Sequence, residues 1–215
     1  MSMDVLLQNL ANSITLGSLY ALIAIGYTMV YGIIRLINFA HADLLMVAAY
    51  IVFYGILVFS LPWWASFAIA IVLTTLLGVT IEKLAYRPLR NAPRISALIS
   101  AIGVSFLLEN VGIVTIGATP KPFPRPSELV WNIHAGGISF LSTTIIIPVV
   151  TVILLIAVTF MVKKTKIGVA MRAVSRDFEA SSLMAVDVNK IISATFAVGS
   201  GLAAVGGILW SLQYP

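Results

Sequence analysis

The chain has 215 residues, 60% of them hydrophobic and only 10% charged, with a mean hydropathy of +1.05. A water-soluble domain carries about 25% charged residues, so lipid must cover most of this surface. Cysteine is absent, which excludes a disulfide framework and a thiolate metal site, and the net charge of +5 acts first as a topology signal.

The N-terminus, Met1-Ser2-Met3-Asp4, has no basic region of the signal-peptide kind. The apolar run that follows is too long for a signal core, so the first helix is expected to be retained. A spanning helix needs roughly 20 mostly apolar residues, and six segments qualify. The first lies near Leu10–Ile34 and the second near Leu44–Phe59. The second is short; it starts as early as Asn38, or is broken or half-buried. After the tight turn Ser60-Leu61-Pro62, a third runs from Trp63 to Leu84. The fourth is near Ile95–Gly117, the fifth near Thr144–Val162 and the sixth near Ile191–Leu212.

Two connections stand out. Residues 118–142 hold Pro120, Pro122, Pro124 and Pro126, then Trp131 and Gly136-Gly137. The prolines forbid a helix, so an ordered loop on one membrane face is expected, with a short strand near Glu128–Ile133. Residues 163–190 are the most charged stretch. Eleven of the thirteen Lys and Arg fall on three connections that share one side if six helices alternate. They are Arg35; Lys83, Arg87, Arg90 and Arg94; and Lys163, Lys164, Lys166, Arg172, Arg176 and Lys190. Only Lys121 and Arg125 lie on the other side. This asymmetry places the basic loops in the cytoplasm and the N-terminus outside. The predicted fold is therefore an all-α polytopic membrane protein of about six transmembrane helices. It forms a single transmembrane domain over residues 1–215, with a cytoplasmic loop at 163–190 and an extracytoplasmic loop at 118–142. The stop at Pro215, directly after the last span, is expected to be an incomplete C-terminus.

The sixth segment carries small residues at every fourth position: Thr195, Gly199, Ala203, Gly207 and Ser211. The first has a shorter version in Ser13, Gly17 and Ala21. Close backbone approach drives helix association in lipid, so each stripe predicts a tightly packed partner. That partner is either a helix of this chain or another subunit.

Chemistry-bearing motifs are few. A nucleotide-binding loop requires a Gly-Lys pair, which the sequence lacks, so any ATP hydrolysis belongs to another chain. His41 and His134 are far apart and have no carboxylate pattern around them, and no metal site is expected. In the basic loop, Asp177 is positioned to cap a short helix with Glu179 in its first turn. Phe178, Ala180, Leu183 and Met184 give that helix an apolar surface, and Asp187 and Asn189 are expected to end it. It is either a lipid-surface helix or a docking peg for a soluble partner. Asn38-Phe39-Ala40-His41-Ala42-Asp43 is either a helix start, capped by Asn38 or Asp43 with Arg35 snorkelling to headgroups, or a polar break lining a transport path. Glu109-Asn110 sits inside the fourth span. A carboxylate there faces a cavity or partner, or serves as a hydrogen-bond anchor.

Four segments resemble a known family. Glu179-Ala180-Ser181-Ser182-Leu183-Met184-Ala185 resembles the EAA loop of ABC-importer permeases, with Ser181 in place of the second Ala and Ala185 in place of the Gly. Leu16-Gly17-Ser18-Leu19-Tyr20-Ala21, running on through Asn38-Phe39-Ala40-His41 to Asp43, resembles the opening of LivH-type branched-chain amino acid permeases. Tyr86-Arg87-Pro88-Leu89-Arg90 with Leu98-Ile99-Ser100-Ala101-Ile102-Gly103, and Gly168-Val169-Ala170-Met171-Arg172-Ala173, resemble further parts of that family.

The resemblance implies a permease subunit of an ATP-driven importer in the bacterial inner membrane, forming the path for leucine, isoleucine and valine. It implies two cytoplasmic ATPase subunits that carry ATP and Mg, a second related permease and a periplasmic substrate-binding protein. It implies no cofactor in this chain, no catalytic residue and no nucleic-acid partner. It also favours the docking reading of Asp177, Phe178, Glu179, Ala180, Leu183, Met184 and Ala185. Phe178, Leu183 and Met184 would then enter an ATPase cleft. Rival readings are a related permease for urea or short amides, a stand-alone secondary transporter or channel, and a non-transporting scaffold.

Overall fold

A computed structural model describes residues 3–90, 92–135 and 138–215. Among the described residues, six helices are long and apolar enough to cross a membrane: α1 (Met3–Ile34), α2 (Ala40–Leu57), α3 (Trp63–Ile81), α4 (Arg94–Ile116), α5 (Thr143–Lys164) and α8 (Val188–Gln213). Two shorter helices, α6 (Lys166–Arg176) and α7 (Phe178–Leu183), lie between α5 and α8. A hairpin of β1 (Asn132–Ala135) and β2 (Ile138–Leu141) precedes α5. The chain is thus an all-α polytopic membrane protein, as its composition required.

The second span is unbroken. At 18 residues and 1.5 Å per residue, α2 is about 27 Å long, close to the roughly 30 Å hydrocarbon thickness. It begins at Ala40, directly after the polar segment. α3 starts after Pro62 and runs on through a π-helical turn, Glu82–Tyr86, and a 3-10 turn, Arg87–Leu89. α4 starts after Pro93 and ends at Gly117, whose φ of 96° suits only glycine.

α8 is the centre of the bundle and packs against α1, α2 and α3. The small-residue stripe explains how. Thr195, Gly199, Ala203 and Gly207 are buried, and Ser211 is half-buried at the end. A Cβ on Gly199 would lie 2.8 Å from Val30 and 3.1 Å from the Gly26 carbonyl of α1. One on Gly207 would lie 2.8 Å from the Leu45 Cα of α2. The stripe therefore seats two helices of the same chain, the first of the two partners expected. Ser13, Gly17 and Ala21 of α1 instead face away from the chain.

α5 contains Pro148, which cannot donate to the carbonyl four residues back. That carbonyl, on Thr144, accepts from the Thr15 hydroxyl of α1 at 3.3 Å. The Thr15 hydroxyl also bonds the Ala11 carbonyl of its own helix at 2.9 Å, so it shares one proton between that carbonyl and the acceptor freed in its neighbour.

The proline-rich loop lies across the C-terminal end of α8. Phe123 is buried, and Arg125 donates to the carbonyls of Leu212 and Gln213 at 3.0 and 2.7 Å. Strand pairing begins at Asn132, not at Glu128. Residues 127–129 turn instead, with the Leu129 and Val130 amides bonded to the Pro126 carbonyl. Gly136 and Gly137 and the side chain of His134 lie outside the described residues.

At the opposite end, α5 breaks at Thr165, whose extended backbone ends one helix and whose hydroxyl caps α6 by accepting from the Gly168 amide. Gly168 abuts the Met161 and Val162 carbonyls so closely that no Cβ fits. α6 buries Gly168, Met171 and Val174 on one face. Asp177 then caps α7 as expected, accepting from the Ala180 amide at 3.0 Å. The end of α7 departs from expectation. It stops at Leu183, and Ala185 turns the chain with a left-handed φ of 60°. Asp187 does not end α7; it caps α8, accepting from the Lys190 amide at 3.1 Å. A carboxylate favours the helix start, where amides are unpaired, over a helix end.

Candidate functional site

The fold gathers one set of basic residues at a single end. The Arg35 guanidinium, at the end of α1, donates to the Ser175 carbonyl of α6 at 3.2 Å. Arg35 itself is exposed and has a left-handed φ of 53° where α1 ends.

The centre of this end is Glu82, 0% exposed, in the π-helical turn after α3. Such turns commonly mark functional positions. Its carboxylate accepts from Arg87 at 3.2 and 3.3 Å, from Arg90 at 3.0 Å and from the Ser193 hydroxyl of α8 at 2.7 Å. Arg90 also donates to Asn189 at 2.8 Å. Burial holds the Arg90 guanidinium below the usual arginine range; Glu82 opposes this and Arg87 adds to it. The network ties the end of α3 to the first turns of α8, just beyond the α7 loop. The sequence did not single out Glu82; its basic neighbours served as topology signals, and Arg87 and Arg90 as part of the family resemblance. Four residues that pair across 111 positions leave no local pattern. The one local cue was a carboxylate amid three basic residues.

α7 presents Leu183 and Met184 almost fully, at 86% and 79% exposure. Phe178 is 38% exposed and lines a cavity under the helix. All three apolar side chains expected to reach outward are exposed, Phe178 the least. Glu179 and Ala180 are exposed beside them.

The Asn38–Asp43 segment is buried polar structure, and neither proposed cap forms. The Asn38 side chain accepts from the Tyr86 hydroxyl at 2.9 Å, and Asp43 accepts from Ser105 of α4 at 2.5 Å. α2 has no side-chain cap. Tertiary partners outcompete the cap because both groups are buried beside α3 and α4. His41 is 3% exposed and packs edge-on to Tyr27, and its Nε2 has no hydrogen-bond partner among the described residues.

Glu109 lies one turn beyond Ser105 on α4 and is exposed, with no hydrogen bond of its own among the described residues. Asn110 bonds its own helix at the Phe106 carbonyl. Only Ala97 and Ala101 of α4 are buried. The helix therefore offers a wide, partly polar face that the rest of this chain leaves uncovered. Among the described residues no group of three His, Asp or Glu is placed to hold a metal ion.

Six spans with a small-residue helix at their centre, a charged network at one end and an exposed short helix beside it fit a polytopic transporter subunit. The family model for the permease component of branched-chain amino acid transport systems matches residues 9–215, and the chain belongs to that family. The high-affinity branched-chain amino acid permease protein BraD of Pseudomonas aeruginosa is 40% identical, covering 97% of this chain and 71% of the relative. The LivH protein of Escherichia coli K12 is 40% identical with the same coverage. A probable LivH permease of Methanocaldococcus jannaschii is 27% identical over 95% of the chain and 66% of the relative. No solved structure matches the chain.

Proposed function

We propose that this chain is the membrane subunit of an ATP-driven importer in the bacterial inner membrane, carrying leucine, isoleucine and valine. It works with two cytoplasmic ATPases that hold ATP and Mg, a second related permease and a periplasmic binding protein that selects the substrate. The basic end faces the cytoplasm, in keeping with the eleven basic residues on its connections.

The observation that carries this reading is the presentation of Leu183 and Met184. Two neighbouring apolar side chains more than three-quarters exposed, on a capped helix in water, fit a partner's cleft. Glu179 adds a polar contact at its rim. Motion of α7 passes to α8 through the four residues between them, and to α3 through the Glu82 network. Family membership supports the substrate class.

Along the membrane, α4 supplies a wall of the path. Glu109 is a carboxylate on a face this chain leaves open, and facing acyl chains would be costly. The open face meets the aqueous path or the second permease. Asn38 and Asp43 are engaged inside the chain, which leaves His41 as the member of its segment with a free ring nitrogen. Full uptake by a His41→Ala variant would remove that residue from the path.

The test is co-purification. Leu183→Asp in the full-length permease should abolish capture of the ATPase while the permease stays in the membrane at normal level. Undiminished capture would refute α7 as the docking helix.

A further inference from the structure

The basic end also holds a cavity of about 270 Å³, at the junction of α1, α4, α6 and the start of α8. Its lining includes the apolar side chains of Ile33, Ala97 and Ile192. Arg35, Arg90, Arg94 and Arg176 line it as well. Arg35 and Arg90 are engaged by Ser175, Asn189 and Glu82. Arg94 and Arg176 have no hydrogen-bond or ion-pair partner among the described residues. Glu82 is already shared between Arg87 and Arg90, so the cavity carries uncompensated positive charge.

We infer that this cavity binds the phosphate of an anionic phospholipid from the adjoining leaflet. Arginine forks match phosphate oxygens in pairs, and basic pockets between helices at the cytoplasmic side take anionic headgroups. The apolar lining favours a lipid over a free phosphate, because glycerol and the first methylenes cover it where a small anion leaves it wet. It also favours a lipid over an acidic side chain of a soluble partner. Leu183 and Met184, the residues offered to such a partner, do not line the cavity. Phe178 does, so an occupied site braces the start of α7 against α1 and α4. The inference does not rest on the importer reading, since binding is measured without transport.

The experiment is native mass spectrometry of the full-length permease in detergent, titrated with phosphatidylglycerol, phosphatidylcholine or inorganic phosphate. The wild type should retain phosphatidylglycerol at least about tenfold more tightly than phosphatidylcholine. An R94Q/R176Q variant should lose that preference. A K163Q/K164Q variant, which removes equal charge from the same end outside the cavity, should keep it. Equal retention by wild type and R94Q/R176Q would overturn the inference, as would equal loss in K163Q/K164Q. Competition by inorganic phosphate at matched concentration would assign the cavity to a small anion and overturn the lipid. Loss of ATPase capture in R94Q/R176Q with lipid retention intact would assign it to the partner protein and overturn it likewise.

Discussion

The Ser193 hydroxyl of α8 donates a 2.7 Å hydrogen bond to the fully buried Glu82 carboxylate at the end of α3, and accepts one of 2.9 Å from Arg87. A single serine thus closes a ring between two membrane-spanning helices at the end where the exposed peg is mounted. Removing one member of a buried ionic group strands the others.

Glu82→Gln leaves two guanidiniums with a neutral acceptor. Arg87 and Arg90 are 37% and 20% exposed, so water offsets part of the loss. The expected cost is about 2–3 kcal/mol. Ser193→Ala, which removes one hydroxyl, should cost about 1 kcal/mol. Thermal unfolding in detergent should rank the variants in that order.

Ala185 holds a φ of 60°, a region that costs a residue with a Cβ about 1–2 kcal/mol. Glycine, the residue of the EAA pattern at this position, avoids that cost but loses more entropy on folding. Ala185→Gly should therefore stabilise the α7–α8 turn by about 0.5–1 kcal/mol. Slower amide exchange across residues 181–187 would report it; faster exchange would contradict it.

Gly207 lies against the backbone of Leu45. Gly207→Ala forces α2 and α8 apart and should cost about 1–3 kcal/mol. Ser211→Ala, at the half-buried end of the same stripe, should be close to neutral. Equal unfolding temperatures for the two variants would contradict the packing described.

Asp187 is held below the usual carboxylate range by the Lys190 backbone amide first and by the Lys190 side chain second. The cap is therefore present above the ordinary carboxylate range and lost as the pH falls through the depressed value. At neutral pH, Asp187→Ala should speed amide exchange at Lys190. That difference should shrink as the pH falls through the depressed value, where the wild type weakens its own cap.

The membrane class and the six spans were legible because hydropathy and length decide them almost alone. The α8 stripe was legible because its period is local, and the α7 cap because Asp177 sits three residues from the amide it accepts from. α6 was not foreseen, although Thr165 with Gly168, Met171 and Val174 carries its signature; the charges around it read as loop. The partners of Asn38 and Asp43 were illegible because Tyr86 and Ser105 are 48 and 62 positions away. The Glu82 network was hidden for the same reason. Local reading finds caps and faces, but pairings between helices require the bundle.

The most direct measurement is leucine uptake into proteoliposomes holding the full-length permease with its companion subunits and a loaded binding protein. Uptake should require both ATP and the binding protein, and Glu179→Arg should abolish it while leaving the permease folded and inserted. Uptake that proceeds without ATP or without the binding protein, or that survives Glu179→Arg at the wild-type rate with normal ATPase co-purification, would contradict the account.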